Sequence, residues 1–221
     1  MKITNFIPYE PIPISKEESL TRSWEHLAYM AKRRSLRHFS KKWVSKKVIR
    51  NILMTAASAP SGAHKQPWTF CAVSDESLKD TIRNAAEKEE YINYHGRMSA
   101  DWLKDLESFE TDWHKDFITE APWIIVVFKK SYDNTPQGKK KNYYVNESVG
   151  IASGFLISAI HQAGLVTLTH TPSPMNFLQK VLNRPANEKP FLLLPIGYPA
   201  PNAQVPKLER KQETEVITWY E

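Results

Sequence analysis

The sequence predicts a single α+β domain in which helices surround one central sheet, and three observations carry that expectation. A chain of 221 residues is long enough to bury a sizeable core and short enough to remain one domain. Apolar residues recur at helical spacing in several separate stretches, many preceded by a capping residue. Between them stand short runs of branched and aromatic residues, of which Trp123 to Phe128 is continuous, as a strand covered on both faces requires.

In chain order, Ser15 followed by Glu18 is a capping-box pattern, and Leu20, Trp24, Leu27 and Ala31 mark a first helix that delivers Arg33 to Arg37 at its end. Ser45 opens a second helix, whose stripe Val48, Ile49, Ile52, Leu53 and Ala56 ends at Pro60. Trp68 to Val73 is the first strand. A third helix follows Asp75, carries Leu78, Ile82, Ala85 and Ala86, and continues toward Glu90. Ser99 caps a fourth, with Trp102, Leu103, Leu106 and Phe109 on its apolar side. After the strand at 123–128, Lys129 to Lys141 is the most loop-like insertion. Asn146 to Ala163 is apolar nearly all round and stopped by Gly164, which predicts a buried helix. Gly150 and Gly154 share one side of it and permit close approach of another helix, either from the same chain or from a second copy. Leu165 to Thr169 and Phe191 to Tyr198 are the remaining strands, with a short helix around Phe177 to Leu182 between them. The tail, 199–221, carries Pro199, Pro201 and Pro206 and ends in apolar residues, so it is expected to be extended and to need a surface to cover.

Composition excludes several classes. Hydrophobic content of 41% and charged content of 24% argue against disorder. The net charge of +6 raises a polyanion partner, and a basic nucleic-acid-binding module is the alternative from another class. The basic residues are scattered, however, and Lys139-Lys140-Lys141 in a polar loop reads as a solvated face, so no nucleic acid is expected. The lone Cys71 fits a reducing compartment and a small core residue. The extension 1–14 lacks the apolar core of a signal peptide, and no apolar segment is long enough to span a bilayer, so a cytoplasmic protein without a membrane partner is expected. No close histidine pair or thiolate set suggests a metal, and neither a Gly-x-Gly-x-x-Gly nor a Walker motif is present.

Two segments carry chemistry. Arg33-Arg34-Ser35-Leu36-Arg37 places three guanidiniums and a hydroxyl within one turn or so, a donor set suited to phosphate as well as to a solvated helix end. Pro60-Ser61-Gly62-Ala63-His64-Lys65-Gln66-Pro67-Trp68 combines stiff and permissive backbone, suited to holding a flat ligand and equally to an ordinary helix-to-strand connection. These segments resemble the FMN-dependent nitroreductase superfamily. The order of Glu89-Glu90, Tyr94, Gly96-Arg97-Met98, Thr111-Asp112-Trp113-His114-Lys115 and Gly164-Leu165-Val166-Thr167 resembles its iodotyrosine deiodinase branch, from about Arg33 to Lys211.

The resemblance implies a nitroreductase-like fold with a central mixed sheet, as an intertwined homodimer with exchanged carboxy-terminal arms and active sites at the subunit interface. It implies FMN, its phosphate on Arg33, Arg34, Ser35 and Arg37 with Arg210 as a later contributor. Pro60, Ser61 and Gly62 would face the ring from the other subunit, and Thr169, His170 and Thr171 would contact it from the opposite side. Thr171 would be the catalytic residue, donating toward flavin N5 and favouring one-electron steps; a threonine serving its own turn is the bland alternative. His170 stands where mammalian relatives carry threonine.

Glu90 and Tyr94 lie four apart on one helix face, and Lys115 adds a positive charge from a separate segment. Each alone reads as a solvated residue. As a set the resemblance makes them the clamp for a halotyrosine zwitterion, within a lid at about 88–117, with the Ala63 N–H meeting the phenolate. Electrons would come from NAD(P)H or a reductase. The rival on the same fold is a general NAD(P)H-dependent nitro- or quinone reductase, which needs no such clamp.

Overall fold

The computed structural model describes residues 6–221; the first five residues of the expected 1–14 extension lie outside them. Contacts group the chain into 1–33 and 34–221. In the first unit, α1 (Lys16–Ala31) starts where the Ser15 hydroxyl accepts the Glu18 N–H at 3.1 Å. Its apolar face, Leu20, Trp24 and Leu27, is exposed.

The second unit contains α2 (Lys46–Ala57), β1 (Trp68–Val73), α3 (Glu76–Ile92), α4 (Ala100–Glu107), α5 (Phe117–Glu120), β2 (Trp123–Lys130), β3 (Tyr132–Thr135) and β4 (Gly138–Lys141). It continues with α6 (Val145–Gln162), β5 (Val166–Thr167), α7 (Asn176–Val181), β6 (Glu188–Gly197) and α8 (Glu213–Val216). Side-chain caps open three of these helices: Ser45 accepts from Val48, Asp75 from Leu78 and Ser99 from Trp102.

Four strands form the main sheet in the order β1-β2-β6-β5, all neighbours antiparallel. The mixed sheet expected from the family therefore reduces to a single parallel element, the bridge between Ser35 and Thr167, where the Leu36 N–H donates to the Thr167 carbonyl at 3.2 Å. β2 runs through the middle, and its alternate side chains feed two cores. Ile125 and Val127 join α2 and α6 on one face, while Ile124, Val126 and Phe128 join Ile82, Ala86, Phe117 and Leu178 on the other. Register shifts between Val127 and Phe128 opposite β6, where Pro190, without an N–H, is accommodated at the irregularity.

The segment expected as a loop, Lys129 to Lys141, instead extends β2 and forms the hairpin β3–β4. Its strands face solvent widely, so no apolar alternation betrays them, and the Lys139 ammonium lies 4.8 Å from the Tyr132 ring centroid. The strand expected at 165–169 is only two residues: Leu168 falls opposite Pro195, which has no N–H to give the ladder, and the same register resumes at the bridge of His170 to Leu193. The helix expected at 146–163 is buried on one side only. Val149, Ala152, Leu156 and Ile160 enter the core, whereas Ile151 and Phe155 are exposed and nothing lies within 4 Å of a side-chain carbon built at Gly150 or Gly154.

Leu156 is fully buried between α2 and the sheet, so Leu156→Ala should cost about 2–5 kcal/mol through lost burial and a residual cavity. Equilibrium urea unfolding at fixed protein concentration measures it, and a change below about 1 kcal/mol would contradict this packing.

Candidate active site

The arginine run lies along the β5 edge of the sheet. Arg34 donates to the Pro206 carbonyl, tying it to the carboxy-terminal tail. Ser35 and Arg37 line a cleft of about 770 Å³ together with Phe109, Thr111, Asp112 and Pro206. The Arg37 guanidinium stands 6.0 Å from the Phe109 ring centroid, and its burial lowers its pKa. Arg33 belongs to the first unit, where its N–H donates to Met30. Arg210 is exposed in the tail.

The Pro60 loop is elsewhere, entering β1 at the opposite edge. Ala63, His64 and Gln66 adopt positive φ values of 49°, 54° and 46°, coiling it tightly. The Ser61 hydroxyl is occupied by the Gln66 N–H at 2.9 Å, and the Gly62 N–H donates to the Ser148 hydroxyl at 3.2 Å. A side-chain carbon at Gly62 would fall 2.8 Å from Cδ2 of Tyr144, the residue before α6, so any larger residue here would have to displace that exposed ring. Three strand spacings, about 14 Å, separate the two sheet edges, so one chain does not bring this loop to its own arginine run.

Glu90, Tyr94 and Lys115 do come together. Glu90 is 6% exposed and Lys115 3% exposed, with their charged atoms 3.5 Å apart. The Lys115 ammonium also donates to the Asp112 carbonyl and lies 5.3 Å from the Tyr94 ring centroid. The Tyr94 hydroxyl donates to the Thr111 carbonyl at 3.2 Å. Burial raises the Glu90 pKa and lowers that of Lys115, and each charge opposes the other's neutralisation. The trio thus backs the Thr111–Asp112 wall of the cleft. A ligand bearing both an ammonium and a carboxylate is the chemistry that can part such a pair while leaving neither charge unpaired.

Sequence reasoning missed what surrounds this trio: Thr111 and Asp112 as carbonyl acceptors, and the aromatic cluster formed by Tyr91, His95, Trp113 and His114. Backbone carbonyls leave no residue-type signal, whereas Tyr91 and His95, four apart, carried a readable one.

The segment expected to meet a flavin from the other side has Thr169 and Thr171 exposed around a buried His170. His170 exchanges backbone hydrogen bonds with Leu193 at 2.9 and 3.0 Å, and its ring meets Phe117 edge-on at 5.3 Å. Its Nε2 is buried with no hydrogen-bond partner. His170 is not among the residues that line the cleft, whereas the hydroxyl of Ser35 and the guanidinium of Arg37 are, with Arg34 beside them, and that donor set fits a cofactor carrying a phosphate.

The Nitroreductase family's sequence profile matches residues 30–198, and the chain belongs to that family. Within it the chain groups with the iodotyrosine deiodinases. It is 60% identical over 216 residues to that of Haliscomenobacter hydrossis, covering 97% of each chain, and 46% identical over 215 residues to that of Hydra vulgaris, covering 96% of this chain and 79% of the other. A solved oxidized iodotyrosine deiodinase bound to FMN and 3-iodo-L-tyrosine superposes with a TM-score of 0.76 at 31% identity, covering 89% of this chain and 98% of that one. Among the described residues no helix is long and apolar enough to cross a membrane.

Burial, then Lys115 and Arg37, lowers the His170 pKa from 6.5 to about 3. The native chain favours the neutral imidazole, so its stabilising contribution is complete above pH 6.5 and is lost as pH falls toward about 3, where only the unfolded chain takes up the proton. Wild type should therefore lose stability relative to His170→Phe across that window. Urea midpoints compared against pH would show parallel curves if His170 is not responsible.

Proposed function

We propose that this chain removes halide reductively from halotyrosines with FMN as its redox cofactor. The buried, oppositely charged Glu90–Lys115 pair beside Tyr94 carries this reading, because a neutral nitroaromatic or quinone needs no such pair. Glu90 receives the substrate ammonium, Lys115 its carboxylate, and the Tyr94 hydroxyl either. For these contacts to form, Thr111 and Asp112 must move, which is why residues 88–117 are read as the lid. Its closure excludes water from the cleft. Ala63 offers its N–H to the phenolate.

Arg34, Ser35 and Arg37 hold the FMN phosphate, with Arg33 and Arg210 read as further donors. Pro60, Ser61 and Gly62 meet the ring on one side, and Thr169, His170 and Thr171 on the other. When bound and reduced, FMN supplies the two electrons, one at a time, that replace the carbon–halogen bond by a carbon–hydrogen bond as halide leaves and a proton enters. Thr171 holds its hydroxyl proton toward flavin N5. NAD(P)H or a reductase restores the electrons, and the lone Cys71 accords with a cytoplasmic setting.

The Pro60 loop and the arginine run occupy opposite sheet edges, so the active site is completed by a second copy. Exposure of Gly150, Gly154, Ile151 and Phe155 on α6 supports a helix-to-helix contact with that copy. The exposed stripe on α1 and the apolar end of the 199–221 arm, Ile217, Trp219 and Tyr220, support exchange of extended segments.

Flavin fluorescence titrated with 3-iodotyrosine and 2-iodophenol tests the clamp. Glu90→Gln and Lys115→Ala should weaken iodotyrosine binding on the order of a hundredfold, through the charge left buried, and leave iodophenol within about threefold. Equal losses for both ligands would defeat the assignment. Gly154→Leu should shift sedimentation toward monomer and release FMN; an intact dimer retaining flavin would remove α6 from the interface.

A further inference from the structure

Lys79, Arg83, Glu87, Glu90 and Tyr94 recur three or four residues apart and form one polar stripe along α3 and the π-helical turn that follows it. The last two belong to the clamp. The first three grip residues 115–121, the end of the proposed lid and the turn that follows it. The Lys79 ammonium donates to the carbonyls of Thr119 at 3.1 Å and Ala121 at 2.9 Å. Arg83 donates to the Thr119 hydroxyl at 3.0 Å and pairs with Asp116. One oxygen of Glu87 accepts both Arg83 Nε at 2.7 Å and the backbone N–H of Lys115 at 2.8 Å.

Lys115 is thus tied to α3 at both ends, its N–H on Glu87 and its ammonium 3.5 Å from Glu90. The residues just before Lys115 lie outside helix and strand, and α5 begins two residues after it with no side-chain cap. Local bonds hold its neighbours, the Lys115 carbonyl accepting the Ile118 N–H at 3.0 Å and the Asp112 carboxylate the His114 N–H at 2.8 Å, and the Lys115 N–H itself is held by Glu87. A lysine side chain has four rotatable carbons, so where its charge stands depends on where its backbone is held. Glu87 is only 16% exposed at its side chain, which strengthens its hold on a backbone donor relative to the same bond in water.

We propose that Glu87, oriented by Arg83, is a positioning residue that sets the Lys115 ammonium for a substrate carboxylate and so selects amino-acid phenols over simple phenols. This rests on the clamp reading above. Neither residue touches the substrate. Losing the Glu87 carboxylate releases the Lys115 N–H from α3 and leaves the Glu90 half of the clamp in place.

The test uses the FMN-loaded protein, with flavin fluorescence titrated by 3-iodotyrosine and by 2-iodophenol. Wild type should prefer iodotyrosine. Glu87→Ala should weaken iodotyrosine roughly tenfold, the loss of one charge-assisted hydrogen bond, and change iodophenol by less than about twofold. Glu87→Gln, which keeps an acceptor for the Lys115 N–H, should recover most of that loss, a rescue that a general destabilisation of the fold would not produce. Wild type without a preference overturns the clamp and this inference together. Wild type with a preference, but with Glu87→Ala weakening both ligands alike or neither, overturns the positioning role alone. Should Glu87→Ala not fold, Arg83→Lys carries the comparison: the same selective weakening is expected, and unchanged selectivity refutes the role.

Discussion

Opposite charges placed side by side in a poorly hydrated interior cost several kcal/mol of lost solvation each and regain it only while they face one another. Glu90 and Lys115 are held in that condition, both nearly inaccessible to solvent, on segments that are distant in the sequence. The architecture around them follows from keeping that arrangement. α3 must reach far enough to carry Glu90 beneath the cleft, α5 must close behind Lys115, and the Thr111–Asp112 strip must seal the top through carbonyl contacts with Tyr94 and Lys115. Under the proposed function a zwitterionic ligand would substitute for the internal pair rather than add to it, which would make specificity and lid closure one event.

The sheet has a second role, which is to separate. By placing the Pro60 loop at one edge and the arginine run at the other, the order β1-β2-β6-β5 divides between the two edges of one sheet the groups proposed for a single flavin. The exposed small-residue side of α6 and the uncovered apolar residues of α1 and the tail are the surfaces on which the proposed second copy would reunite them. Cofactor site and subunit contact are, on this reading, a single consequence of strand order. The parallel bridge between Ser35 and Thr167 adds that the arginine run is itself anchored to the sheet rather than borne on a free loop.

Much of this was legible before folding was considered. Caps at Ser15, Ser45 and Ser99, the apolar stripes, and the unbroken run at Trp123 placed the longer helices and the central strand, though not the one-turn helices α5 and α8. The hairpin at 132–141 was not, because strands solvated on both faces carry no alternation. Nor was the true use of Ser61 and Gly62 within the chain, where a hydroxyl and an N–H are taken up by Gln66 and Ser148.

Sequence alone determined the local elements and the inventory of chemical groups, because periodicity and capping act over a few residues. It also held the polar stripe from Lys79 to Tyr94, which is a matter of helical repeat. Only the tertiary structure decided that Lys115 belongs to that stripe, that one oxygen of Glu87 serves two donors, and that His170 is sealed in with an unsatisfied nitrogen. Those outcomes depend on how irregular segments travel between elements, and no short-range pattern encodes such a path.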